Sequence, residues 1–119
     1  MSEDTGDGEF DPERFEAEKY REYFPQLQTA YKRAFNRVNE RRDSELVHAI
    51  DQQVLAESEP FYEDGAFRID LPENPVGRLA LAGVGIDQAR AEEVLEEYVA
   101  ELEGQLREVF GVEGGEPKA

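Results

Sequence analysis

The chain has 119 residues, with 29 Asp and Glu against 13 Lys and Arg, a formal net charge of -16 and no cysteine. That length suits one domain with one modest core, and the lack of cysteine excludes disulfides, thiolate metal sites and cysteine nucleophiles. A charge excess of this size repels itself in dilute buffer but is screened near molar salt, where the Debye length falls to about 3 Å, so the composition points to a salt-adapted protein of a salt-filled cytoplasm.

Residues 1–9 are acidic and glycine-rich, where a signal peptide would be basic and then apolar, and they read as a disordered tail. A single helical domain is expected over residues 10–110, and residues 111–119 read as a second disordered tail. The domain opens at Phe10-Asp11-Pro12. Asp11 is a good N-cap, Pro12 suits the first helical position, and Phe10 and Phe15 are spaced as a hydrophobic staple. Tyr20, Tyr23, Phe24, Leu27, Tyr31, Ala34, Phe35 and Val38 then keep helical phase on one face. Pro25 either kinks this helix or starts a second one.

Arg41 and Arg42 suit a helix C-terminus, and Asp43-Ser44 offers the next N-cap, opening a helix to about Glu57 with Leu46, Val47, Ile50 and Val54 on its apolar face. Between Pro60 and Leu71 the apolar period changes from helical to alternating, and Asp64-Gly65 is a preferred type I′ turn pair. A β-hairpin over about residues 60–71 follows, with Tyr62 opposite Phe67. Residues 72–86 are broken by Pro72, Pro75, Gly77, Gly83 and Gly85, with Leu79 to Ala82 fitting a short strand or a helical turn. Asp87 caps a last helix whose stripe runs from Ala91 to Phe110 and stops at Gly111. The expected fold is α+β, mainly α: three or four amphipathic helices packed with a hairpin.

Two stretches, Phe24-Pro-Gln-Leu-Gln-Thr-Ala-Tyr-Lys-Arg-Ala-Phe35 and Asp43-Ser-Glu-Leu-Val-His-Ala-Ile-Asp-Gln-Gln-Val-Leu-Ala-Glu-Ser-Glu-Pro-Phe-Tyr62, resemble a family of small acidic haloarchaeal proteins of unknown function. The resemblance spans most of residues 10–110. It implies a salt-adapted cytoplasm and brings no catalytic residue with it.

The densest polar cluster holds the one histidine. Glu45 and His48 stand three residues apart, the spacing that puts two metal ligands on one helix face in di-iron carboxylate bundles, and Asp51 adds a carboxylate one turn on. Such bundles need two of these motifs and inward-facing glutamates, and here a single copy lies mostly opposite Leu46, Ile50 and Val54. Ser44, His48 and Asp51 contain the residue types of a hydrolase triad, without the pocket or oxyanion hole that a nucleophile needs. Gly83-Val-Gly85 lacks the third glycine of a dinucleotide fingerprint and precedes a strongly acidic helix, so it reads as a structural loop. No cofactor site is expected. No stretch approaches the roughly 18 consecutive apolar residues of a membrane span.

Charge is unevenly distributed. Residues 13–42 carry 8 basic and 5 acidic side chains inside an otherwise very acidic chain. Lys32, Arg33, Arg37, Arg41 and Arg42 concentrate the excess, so the 32–42 segment is an alternative nucleic-acid surface. Two considerations oppose that reading: the carboxylates of the last helix are an obvious complement, and high salt weakens phosphate binding. The preferred reading is a non-catalytic interaction protein that forms a homodimer or binds another protein. Its interface candidates are Tyr31, Arg33, Phe35 and Arg37 on the second helix, with Phe61 and Tyr62 on the hairpin. An enzyme using Glu45, His48 and Asp51 with a metal is the second alternative.

Salt dependence tests the reading of charge. The melting temperature followed by circular dichroism should climb steeply from dilute buffer to molar chloride, and an unchanged value would overturn salt adaptation.

Overall fold

The computed structural model describes residues 10–81, 83 and 87–112. Its elements are α1 (Pro12–Glu18), α2 (Phe24–Arg41), α3 (Ser44–Gln53), a 3-10 turn (Leu55–Glu57), β1 (Glu59–Glu63), β2 (Ala66–Asp70), α4 (Pro75–Leu81) and α5 (Gln88–Phe110). The α+β, mainly helical class is borne out, with five helices among the described residues instead of three or four. The expected tail at residues 1–9, residues 113–119 of the expected tail at 111–119, and most of the loop at Gly83-Val-Gly85 lie outside the described residues.

Local chemistry sets each helix start. The Asp11 carboxylate accepts from the backbone N–H of Glu13 at 3.1 Å and of Arg14 at 3.3 Å, and the staple closes with the Phe10 and Phe15 rings 5.5 Å apart. Asp43 accepts from Leu46 N–H at 3.1 Å and Asp87 from Arg90 N–H at 3.3 Å. Pro25 starts a second helix; it does not kink a long one. The chain turns between Lys19 and Tyr23, and Pro25 occupies the first turn of α2, where its missing N–H costs nothing. Pro75 does the same for α4, so of the short strand or helical turn expected around Leu79 the helical one forms. At the far end, Gly111 takes a left-handed φ of 68° while Val112 N–H reaches the Arg107 carbonyl at 2.8 Å. This closing motif ends α5 at the glycine expected to stop it.

The core forms where α5 lies antiparallel along α2. Leu27, Ala30, Ala34 and Val38 of α2 and Tyr98, Leu102 and Leu106 of α5 are all buried, and the two alanines let the helix axes approach closely. From the other side α3 adds Leu46, Val47 and Ile50, and the 3-10 turn buries Leu55, which an uninterrupted helix would have turned aside.

The hairpin has the expected register, Tyr62 opposite Phe67, with positive φ at both turn residues, 51° at Asp64 and 81° at Gly65. Two strands alone are marginal. Here Phe67 and Tyr62 join Phe10, Phe15 and Phe110 in an aromatic cluster with ring centroids between 4.7 and 5.8 Å. The cluster binds the start of the fold, the hairpin and the end of α5 into one block.

Beside it sits a residue that nothing in the sequence singles out. Lys19, 2 % exposed, donates from Nζ to the Pro60 carbonyl at 2.9 Å and pairs with Glu59 at 2.9 Å and Glu16 at 3.1 Å. Its ammonium also lies 4.0 Å from the centre of the Phe61 ring. A buried lysine is tolerated only when paired, and this cage joins α1 to β1. Lys19→Ala should cost roughly 2–4 kcal/mol in urea unfolding, because it empties the site and strands the Pro60 carbonyl. Lys19→Met, which keeps an apolar stem in the buried site, should cost less; an unchanged midpoint for the alanine variant would show that the cage holds nothing.

Candidate functional site

The second helix has two flanks. At 100° per residue, Phe24, Tyr31 and Phe35 fall on the side toward α3, and Arg33 and Arg37 on the side toward the C-terminal half of α5. The outer face between them carries Lys32 and Asn36, both exposed.

On the aromatic flank, Tyr31 is half-buried and turned inward. Its hydroxyl stands 3.0 Å from Ser58 Oγ, and because Ser58 donates to the Leu55 carbonyl at 2.7 Å, Tyr31 is the donor of the pair. Burial pushes its phenol up to about 12. Phe35 is also half-buried and meets the His48 ring edge to face at 4.9 Å. Phe24, expected on the apolar face, is 43 % exposed, and Tyr20 is 53 % exposed. Both lie at the corner joining α1 to α2. On the hairpin, Phe61 is half-buried between the Lys19 ammonium and the Arg68 guanidinium, which lies 4.9 Å from its ring centre, and Tyr62 belongs to the aromatic cluster.

The metal and triad candidates have separate partners. Glu45 and His48 are exposed, with the imidazole against Phe35, whereas Asp51 accepts a hydrogen bond from the buried Tyr98 hydroxyl at 3.0 Å. Burial first, and then the Asp51 carboxylate, hold the Tyr98 phenol far above its ordinary value. Ser44 is exposed and follows Asp43, which makes the cap bond itself. Among the described residues no three His, Asp or Glu side chains gather in an arrangement that could hold a metal ion.

The basic side chains of the 32–42 segment divide along its length. Arg42 reaches Glu97 at 2.7 Å and Glu93 at 3.1 Å, and Arg41 reaches Glu97 at 3.0 Å and Glu101 at 3.3 Å. The C-terminal arginines of α2 therefore pair with α5 carboxylates, the intramolecular complement that the charge pattern suggested. Farther along, Arg37 is 3.9 Å from Glu101, and among the described residues Lys32 and Arg33 have no carboxylate within 4.0 Å. Arg33 and Arg37 border a groove of about 330 Å³ between α2 and α5, completed by Asn36, Glu40, Gln105 and Glu108.

Gln105 is the residue that sequence reasoning missed. It is 5 % exposed on a helix stripe otherwise apolar or aromatic, its Nε2 donates to Glu101 at 3.0 Å, and its Oε1 has no hydrogen-bond partner among the described residues. A polar residue standing in phase with Leu102 and Leu106 was the one signal that could have found it.

Fold and surface together define a small helical domain carrying a two-stranded hairpin, with an exposed aromatic corner and a polar groove. Among the described residues no helix is long and apolar enough to cross a membrane. The chain belongs to a family of unknown function, DUF5783, whose family model matches residues 7–113. No curated protein and no solved structure matches it.

The arginine ladder has a pH signature. The Arg42 hydrogen bond, reinforced by Arg41, holds the Glu97 carboxyl below its ordinary 4.5 despite burial. Glu101 is lowered too, first by the Gln105 amide and then by Arg41. Carboxyls depressed in the folded state add stability that is present above pH 4.5 and is lost as pH falls through their lowered values. In molar salt, where general repulsion is screened, the Tm should fall as pH drops below 4.5. Glu97→Gln should lower the neutral-pH Tm by a few degrees and flatten that acid limb; an unchanged limb would detach it from the ladder.

Proposed function

We propose that this protein is a non-catalytic interaction protein of a salt-rich cytoplasm, and that its partner is a second copy of itself docked at the corner of Tyr20 and Phe24. The observation that carries the reading is the exposure of these two large aromatic side chains, 53 % and 43 %, within five residues of each other on a chain this polar. Phe61 extends the same neighbourhood, since both its ring and the Tyr20 ring face the Lys19 ammonium, at 4.0 and 5.6 Å. Tyrosine and phenylalanine suit an interface core, offering large rigid area at little entropy cost.

A two-fold dimer places one such patch on its own copy, so a single aromatic corner is self-sufficient. Two chains each carrying -16 repel in dilute buffer, so the association strengthens with salt. Of the interface candidates on α2, Tyr31 and Phe35 then serve chiefly to seat the helix, and Arg33 and Arg37 lie on the opposite flank.

Sedimentation equilibrium in molar potassium chloride should give twice the 13.5 kDa chain mass for the wild type. The Tyr20→Ser, Phe24→Ser double variant should sediment as a monomer with unchanged helical circular dichroism. A wild-type chain that stays monomeric at every concentration and salt would sink the proposal.

A further inference from the structure

We propose that the second copy is held by exchange: α1 of each chain swings out at Lys19–Tyr23 and packs on its partner's hairpin, where it rebuilds the Lys19 cage and the aromatic cluster. The inference rests on the dimer reading above and specifies how the two chains grip each other.

Area is the first ground for it. The exposed parts of Tyr20 and Phe24 in two copies amount to about 400 Å², well under the roughly 1,000 Å² of a stable interface. Symmetry lets the corner meet its own copy, but the corner alone is too small. Phe10 and Phe15 of both chains, at about 150–250 Å² for each ring, bring the total to about 1,000 Å² or more.

Exchange sacrifices little packing inside either fold. α1 packs chiefly on β1 and against the end of α5. Phe15 meets Phe67 at 5.6 Å and Phe110 at 5.5 Å, and Lys19 donates to the Pro60 carbonyl. A partner chain supplies each of these groups unchanged, which makes swapping a low-cost route to a dimer.

The turn between α1 and α2 is already close to helical. Lys19 has φ -60° and ψ -31°, and Tyr23 has φ -99° and ψ 4°. The apolar phase of α2 also runs back through the turn to Tyr20. The folded-back form carries a cost at Glu18. This residue ends α1, where a carboxylate opposes the helix dipole. Its buried Oε1 has no hydrogen-bond partner among the described residues, and the Arg21 guanidinium stands 3.9 Å away. Joined to α2, Glu18 lies inside a longer helix, away from its end. Pro25 keeps a bend in that helix, since it has no N–H for the Arg21 carbonyl. Tyr20 and Phe24, four residues apart, then share one face, where the two joined helices cross.

Isotope-filtered NMR on the wild-type chain tests the exchange. Equal parts of labelled and unlabelled chain are unfolded together in urea and returned to molar potassium chloride. NOEs selected to run only between a labelled and an unlabelled chain should join Phe15 to Phe67 and Phe110. A chain with Gly-Gly-Ser inserted after Arg21, which folds back freely and breaks the joined helix, should dimerise at least about tenfold more weakly. A dimer of twice the chain mass in which Phe15 meets Phe67 only within its own chain would overturn the exchange and leave the corner contact standing. A wild type that sediments as a monomer would instead overturn the dimer reading and the exchange with it.

Discussion

The whole fold depends on two antiparallel helices approaching closely enough to exclude water along one seam. Ala30 and Ala34 make that approach possible, and Leu27, Val38, Leu102 and Leu106 fill it. The magnitudes rank its parts. Burying each large apolar side chain is worth about 1.5–3 kcal/mol, whereas an exposed ion pair is worth about 0–1 kcal/mol. The seam therefore holds the helices together, and the arginine ladder does something different. It neutralises Glu93, Glu97 and Glu101 on a helix whose carboxylates would otherwise repel one another, and it ties them to fixed positions along α2. The net positive stretch of the sequence is in part an internal counterion for the last helix.

The hairpin depends on that pair in turn. Two strands bury too little to stand alone, and α1, with seven residues, is far below the length at which an isolated helix persists. Each supplies what the other lacks. Phe15 and Lys19 come from α1 or its end, Pro60, Phe61 and Phe67 from the strands, and α5 contributes Phe110 beneath them.

What could be read from the residues was what short-range chemistry decides. Asp11, Asp43 and Asp87 as caps, the Asp64-Gly65 turn with Tyr62 across from Phe67, and Gly111 as a helix stop are each fixed by neighbours a few positions away. The misreadings involve distance. Lys19 is indistinguishable from a solvated lysine until Pro60, forty-one residues on, brings its carbonyl to the ammonium. Phe24 keeps the apolar phase of α2 and yet is exposed, because the chain turns just before it and the core lies under Leu27. At the candidate sites, pairing of Arg41 and Arg42 with the last helix was legible from charge alone. The separation of Arg33 from Arg42, the burial of Gln105 and the diversion of Asp51 to Tyr98 required the helices to be docked.

The contact between Phe10 and Phe110, with ring centroids 5.7 Å apart, has a topological consequence. It makes the described chain a circuit in which its first residue, Phe10, meets Phe110, two residues before its last. Closing so long a loop carries an entropy cost that grows only with the logarithm of its length, and once closed, neither end can fray without loosening the other's anchor. The two ends of the described chain behave as one boundary.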